Sequence, residues 1–185
     1  MKDSFGLFER IDTKLEGCYE IQPVVREDSR GSFIKTFHES AFKELSLATD
    51  FIEQYHSMSV KNVVRGLHFQ IPPAEHEKLV YCTVGKVMDV ALDLRKNSET
   101  YGEFHVFTLD WEKGNMAYLP KGMANGFCTL SDKAVMMYMV TSQYDPKHDS
   151  GILWSSAGIP WPVEQPILSE RDQIFVKLED FKSPF

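Results

Sequence analysis

LVYCTVGKVMDVALDLR, residues 79–95, reads as two β-strands meeting at a glycine. Leu79 to Val84 is an apolar run that Gly85 ends. From Lys86 to Arg95 the residues alternate, with Met88, Val90, Leu92 and Leu94 on one face and Asp89, Ala91 and Asp93 on the other. Period two over that length predicts a half-buried strand. The same signal recurs outward from this stretch. Phe104 to Leu109 is another short strand, and Ala134 to Thr141 (AVMMYMVT) is apolar on both faces, as in a strand enclosed between two layers. Gly31, Gly66, Gly85, Gly102, Gly114, Gly122 and Gly126 punctuate the series. Many short strands between turn signals predict an all-β fold.

Helical pattern is scarce. Glu39 to Leu47 (ESAFKELSL) carries an apolar stripe at Ala41, Phe42 and Leu45, enough for about two turns. A second short helix is expected after Ser169. The C-terminal third holds Pro146, Pro160, Pro162 and Pro166, so it should be a loop-rich wrap on the outside. The expectation is one domain over residues 1–185: a double-sheet jelly roll with a few short peripheral helices, its strand edges covered by loops or a partner chain.

A chain of 185 residues is long enough to close a core without disulfides or a structural metal. Its net charge of -7 excludes a broad phosphate-neutralising surface, so nucleic acid and anionic membranes are poor partners. Three cysteines, Cys18, Cys82 and Cys128, form no C-x-x-C pair and fit a reduced, cytoplasmic protein. No secretory leader is read in the charged first residues, and no apolar run approaches the roughly 18 residues of a membrane span.

The segment richest in chemistry is VVRGLHFQIPPAEHEKLV, residues 63–80. Arg65 and His68 stand an odd number apart, which puts them on opposite faces of a regular strand. Gly66 between them permits a bulge that re-aims one of the two. Arg65 offers a fork for a phosphate, His68 a general base at neutral pH, and Lys78 a cation for a developing oxyanion. Tyr138 lies in mid-strand, where the bland alternative is a packed ring with its hydroxyl on a backbone group. Asp172 ends Ser169-Glu170-Arg171-Asp172, which also fits a helix-capping box.

Jelly rolls of the cupin type often bind metal through a His-x-His pair with a later Glu and through P-x-G-x-x-H. Here His68 has no histidine two residues away. The second motif reads Pro120-Lys121-Gly122-Met123-Ala124-Asn125, with an amide in the ligand slot. No metal and no cofactor is expected. Neither G-x-G-x-x-G nor G-x-x-x-x-G-K-[ST] is present, so a nucleotide would be held by side chains on strands.

Ordered motifs along most of the chain now resemble one family: the dTDP-4-dehydrorhamnose 3,5-epimerases and their single-epimerase relatives. The resemblance rests on Asp28-Ser29-Arg30-Gly31-Ser32-Phe33, Val64-Arg65-Gly66-Leu67-His68-Phe69-Gln70, Lys78-Leu79-Val80, Asp89 to Arg95, Leu119-Pro120-Lys121-Gly122, Gly151-Ile152-Leu153-Trp154 and Pro166 to Asp172. It implies a homodimeric, cofactor-free jelly roll acting on a nucleotide-diphosphate 4-keto-6-deoxy sugar. By the same resemblance His68 is the base, Asp172 its orienting partner, Tyr138 the acid on the other ring face, and Lys78 the enolate's counter-charge. Arg65 would contact the diphosphate, and Arg30 and Phe33 would reach the neighbouring subunit's site. Gln54 and Asn125 fall on segments that touch the ligand in the family. Both segments depart from the family's usual wording: Glu53-Gln54-Tyr55-His56-Ser57 where QDNHS or QENHS is usual, and Ala124-Asn125-Gly126-Phe127 where AHGF is usual. These departures leave open which nucleotide is carried and whether C3, C5 or both are inverted. The competing readings are a 4-keto-sugar ketoisomerase or metal-dependent cupin enzyme, and a non-catalytic sugar-binding jelly roll.

Overall fold

The computed structural model describes residues 1–185. Thirteen strands run in the order β1 (Phe8–Asp12), β2 (Tyr19–Pro23), β3 (Val25–Asp28), β4 (Gly31–Ile34), β5 (Glu53–Val60), β6 (Val64–Gln70), β7 (Lys78–Val84), β8 (Lys86–Asp93), β9 (Phe104–Asp110), β10 (Met116–Leu119), β11 (Met123–Thr129), β12 (Lys133–Val140) and β13 (Asp149–Gly151). One sheet has the order β1-β2-β10-β7-β12-β5, and the other β13-β6-β11-β8-β9. β3 and β4 form a separate hairpin. This is the double-sheet jelly roll read from the sequence. Helix α1 (Glu39–Glu44) lies where expected, and its start is capped by the His38 ring, which accepts from the Ala41 N–H. No helix follows Ser169: residues 170–173 form a turn, and only a short 3-10 segment, Leu178–Asp180, comes later.

The deciding stretch does more than form two strands. β7 belongs to the six-stranded sheet and β8 to the five-stranded one, so the chain changes sheet at Gly85. That glycine has φ +79°, and a Cβ there would lie 2.1 Å from the Lys133 carbonyl oxygen. Only glycine fits the crossing.

Apolar residues pack in three layers. Val80, Cys82, Val87, Ala91, Phe127, Met136 and Tyr138 meet between the sheets. Phe42 and Leu45 of α1 cover the outer face of the six-stranded sheet, against Leu79, Tyr81 and Met116. The proline-rich C-terminal wrap covers the outer face of the five-stranded sheet.

β8 corrects the half-buried expectation, because both its faces are buried. Met88, Val90, Leu92 and Leu94 point outward under the C-terminal wrap, beside Ile152, Trp154 and Phe181. Asp89 and Asp93 share the inward face with Val87 and Ala91 and are sealed from solvent. Asp93 is satisfied locally by Arg95, Ser98 and Thr100. Asp89 reaches the interior that holds the site.

Candidate active site

Strand parity fixes most of the site. On β7, Lys78 has the parity of the inward Val80 and Cys82; on β12, Tyr138 has that of Ala134 and Met136. Val140 pairs with Lys78 and Tyr138 with Val80, so Lys78 and Tyr138 stand diagonally on one wall. His68 comes from β6, on the opposite wall.

Arg65 and His68 reach the same face through the bulge that Gly66 permits. In the pairing of β11 with β6, Asn125 stands opposite His68 and Phe127 opposite Arg65, so β6 carries one extra residue over that interval. The extra residue restores equal parity to two positions of odd spacing. Gly66 has φ +122°, and a Cβ on it would lie 2.6 Å from the Gly126 Cα. The Gly66 N–H donates to Asp172 Oδ2 at 3.2 Å, and Asp172 Oδ1 meets His68 Nε2 at 2.7 Å. One carboxylate therefore pins both the bulge and the imidazole.

Asp172 is buried. Desolvation pushes its carboxyl up, but the His68 ring and the Gly66 N–H outweigh this and hold it below the usual carboxylate range. An ionised carboxylate only accepts, so Nε2 of His68 carries the proton and Nδ1 presents the lone pair. The Ser169 hydroxyl oxygen accepts from the Asp172 N–H at 3.1 Å, so half of the expected capping box forms, around a turn rather than a helix. Phe175 packs edge-on against His68, and Arg171 lies over the Phe175 ring while pairing with Asp149 at 2.7 Å.

Lys78 is 7% exposed, and its Nζ donates to the His68 carbonyl oxygen at 3.3 Å. Burial brings its pKa down to about 8, against the upward pull of Asp89 and Asp149. Tyr138 is also buried. Its hydroxyl meets no backbone carbonyl, and its one partner is Ser57 Oγ at 3.5 Å, the outer limit of a hydrogen bond. Burial raises the phenol well above its ordinary value, so it stays a proton donor at neutral pH. Tyr55 stacks on the Tyr138 ring, with centroids 4.8 Å apart.

Two adjoining lobes make up the cavity. One, of about 200 Å³, is lined by Arg65, His68, Lys78, Asn125, Tyr138 and Ser57. The other, of about 310 Å³, shares Tyr55, His68 and Lys78 and continues past Gln70, His76, Tyr144 and Arg171. Arg65 sits at the rim, its guanidinium donating to Ser59 Oγ and the Met58 carbonyl.

Gln54 is a correction. It points to the opposite face of β5 from Tyr55 and Ser57 and lines neither lobe, whereas its neighbours Glu53 and Tyr55 do. Period two along β5 accounts for the miss. Arg30 and Phe33 lie apart on the β3–β4 hairpin, exposed, with Arg30 forked onto Asp28. Within one chain they do not join the cavity. Sequence reasoning also missed Asp89, whose alternation with apolar neighbours resembled a solvent face. No three His, Cys, Asp or Glu side chains converge as a metal-binding group would require.

The fold and cavity define a class: cupin-type jelly rolls with a carboxylate-oriented histidine facing a tyrosine and a lysine across the two sheets. The family model for dTDP-4-dehydrorhamnose 3,5-epimerase matches residues 12–180. A relative of that description from Methanothermobacter thermautotrophicus is 43% identical over 178 residues, covering 94% of this chain and 96% of its own. One from Shigella flexneri is 40% identical, covering 92% and 98%. The 3,5-epimerase of Legionella pneumophila, solved with dTDP-4-keto-L-rhamnose, superposes with a TM-score of 0.90 at 33% identity, covering 95% of each chain. This chain belongs to the dTDP-4-dehydrorhamnose 3,5-epimerase family.

Proposed function

We propose that this protein epimerises a nucleotide-linked 4-keto-6-deoxy sugar at C3, C5 or both, without a metal or other cofactor, for deoxysugar and polysaccharide precursor synthesis. The ketone at C4 acidifies the hydrogens on C3 and C5. His68 Nδ1 removes one of them, and the charge passes to the ketone oxygen beside the Lys78 ammonium. The Tyr138 hydroxyl then protonates the carbon from the other ring face; its phenolate is reprotonated from solvent, and the His68 imidazolium releases its proton to solvent. Asp172 keeps the His68 tautomer and stabilises the imidazolium. Arg65 at the rim takes the diphosphate, with Asn125 on the cavity wall beside the sugar.

The observation that carries this reading is the division of labour between the sheets. Base and carboxylate face one wall of the cavity, while phenol and ammonium face it from the other. A non-catalytic sugar binder has no need of that arrangement. The subunits are proposed to pair as a cytoplasmic homodimer in which the β3–β4 hairpin, with Arg30 and Phe33, completes the partner's cavity.

The test offers dTDP-, GDP- and CDP-linked 4-keto-6-deoxyglucose in heavy water and follows deuterium by mass and NMR. Uptake at C3 or C5 with inversion of the dTDP sugar is expected. No uptake from any of the three contradicts the proposal.

A further inference from the structure

Asp89 is fully buried on the inward face of β8, and the proton transfers above do not use it. Its hydrogen-bond partner is Asn125. The Asn125 Nδ2 lies 3.1 Å from each Asp89 carboxylate oxygen and 3.2 Å from the Val90 carbonyl oxygen. A backbone carbonyl can only accept, so the amide nitrogen must face this group. The Val90 carbonyl therefore sets the orientation of the amide. Burial pushes the Asp89 carboxyl up to about 8, opposed first by the Asn125 amide, and the Val90 carbonyl holds the nitrogen in either charge state.

The amide's other end is then turned to the cavity. Asn125 is 4% exposed, yet its Oδ1 has no protein donor and is not among the side-chain atoms sealed from solvent without a partner. It lines the lobe that holds His68, Lys78 and Tyr138, and its backbone stands opposite His68 in the β11–β6 pairing. This is a fixed acceptor beside the base and the oxyanion's cation.

We infer that Asp89 and Val90 aim the Asn125 carbonyl oxygen at the C3 hydroxyl of the sugar, which makes Asn125 a specificity-determining residue and Asp89 a positioning residue. The inference rests on the proposed epimerase reading. If Lys78 holds the C4 oxygen, the neighbouring carbons are C3 and C5. C5 carries a methyl group and the ring oxygen, and neither is a hydrogen-bond donor. C3 carries a hydroxyl. Among groups next to the ketone, it alone can donate to Oδ1. A histidine in this slot can donate or accept, according to its tautomer; the amide held this way only accepts. The site therefore favours a sugar with a free 3-hydroxyl over one that lacks it.

The experiment compares dTDP-4-keto-6-deoxyglucose with its 3-deoxy counterpart, reading deuterium exchange at C3 and C5, both of which carry hydrogen in each substrate. Wild-type kcat/KM should favour the 3-hydroxy sugar by about 10-fold or more, the worth of one such hydrogen bond. Asn125→Ala should bring the ratio close to one. Asp89→Leu, which removes both carboxylate acceptors and keeps the branching at Cγ, should also lower it, while Asp89→Asn keeps one acceptor and should retain the preference. The ratio is internal to each variant, so loss of folded protein cancels. An unchanged ratio in Asn125→Ala overturns the inference, as does equal wild-type exchange of both sugars, which leaves the epimerase reading standing. No exchange at either carbon of either sugar by the wild type removes both.

Discussion

Lys78 is the residue whose charge the reaction depends on most directly, and its burial sets a pH limit. The ammonium is desolvated, so its pKa falls to about 8 from 10.5. Activity that needs the charged form should decline as pH rises through about 8. The stability contribution runs the other way. Between about 8 and 10.5 the unfolded chain holds a proton that the folded chain has released, so this group makes stability rise with pH in that window. Lys78→Met should cost about 100- to 1,000-fold in kcat, the usual loss of one oxyanion donor. A wild-type kcat/KM that stays flat from pH 7 to 10 would remove Lys78 from its role. The roles expected of His68, Lys78, Tyr138 and Asp172 came from residue type and from the family resemblance, and the structure gathers His68, Lys78 and Tyr138 in one lobe with Asp172 on His68. Asp89 was hidden because a carboxylate alternating with apolar residues has the same pattern whether it faces water or a sealed interior.

At the scale of the element, the β6 bulge builds the site. Without the extra residue at Gly66, Arg65 and His68 would face opposite ways, and Asp172 would lose the Gly66 N–H that it accepts. Gly66→Ala forces a Cβ to 2.6 Å from the Gly126 Cα at φ +122°. It should destabilise the fold by roughly 2 kcal/mol or more, from backbone strain and overpacking together, and lower kcat in the protein that remains folded. Chemical denaturation beside single-turnover kinetics checks this; wild-type stability and rate would contradict the bulge's importance. The possibility of a bulge was legible from the glycine. Its direction was not, because it depends on how β11 approaches β6. The same limit applies to β5, where choosing Gln54 over Tyr55 required knowing which face met the cavity. After Ser169, capping chemistry was legible, but Asp172 turned to His68 and the chain went on as a turn.

At the scale of the molecule, alternation and turn residues were enough to give an all-β jelly roll, since burial of period-two strands leaves few other solutions. They did not say that β7 and β8 lie in different sheets, because a glycine between two apolar runs also suits a hairpin. Nor did they say which face of β8 the C-terminal wrap would cover. The β3–β4 hairpin is exposed, with Phe33 63% exposed, and in the proposed homodimer it would enter the partner's cavity. Mixing Arg30→Ala chains with His68→Asn chains should restore part of the activity that each lacks alone, since one hybrid cavity then has both residues intact. Monomers that are fully active at micromolar concentration would contradict a shared site.

The central claim is that the two sheets present base and acid to opposite faces of one sugar ring, and Tyr138→Phe tests it most directly. The variant keeps the ring stacked on Tyr55 but removes the donor. His68 can still take a proton and return it to the original face. Deuterium exchange and inversion, measured on the same sample in heavy water, should therefore separate: exchange continues while inversion falls sharply. If Tyr138 is only a packed core residue, the change costs about 1 kcal/mol of stability, and inversion at the wild-type rate would contradict the account.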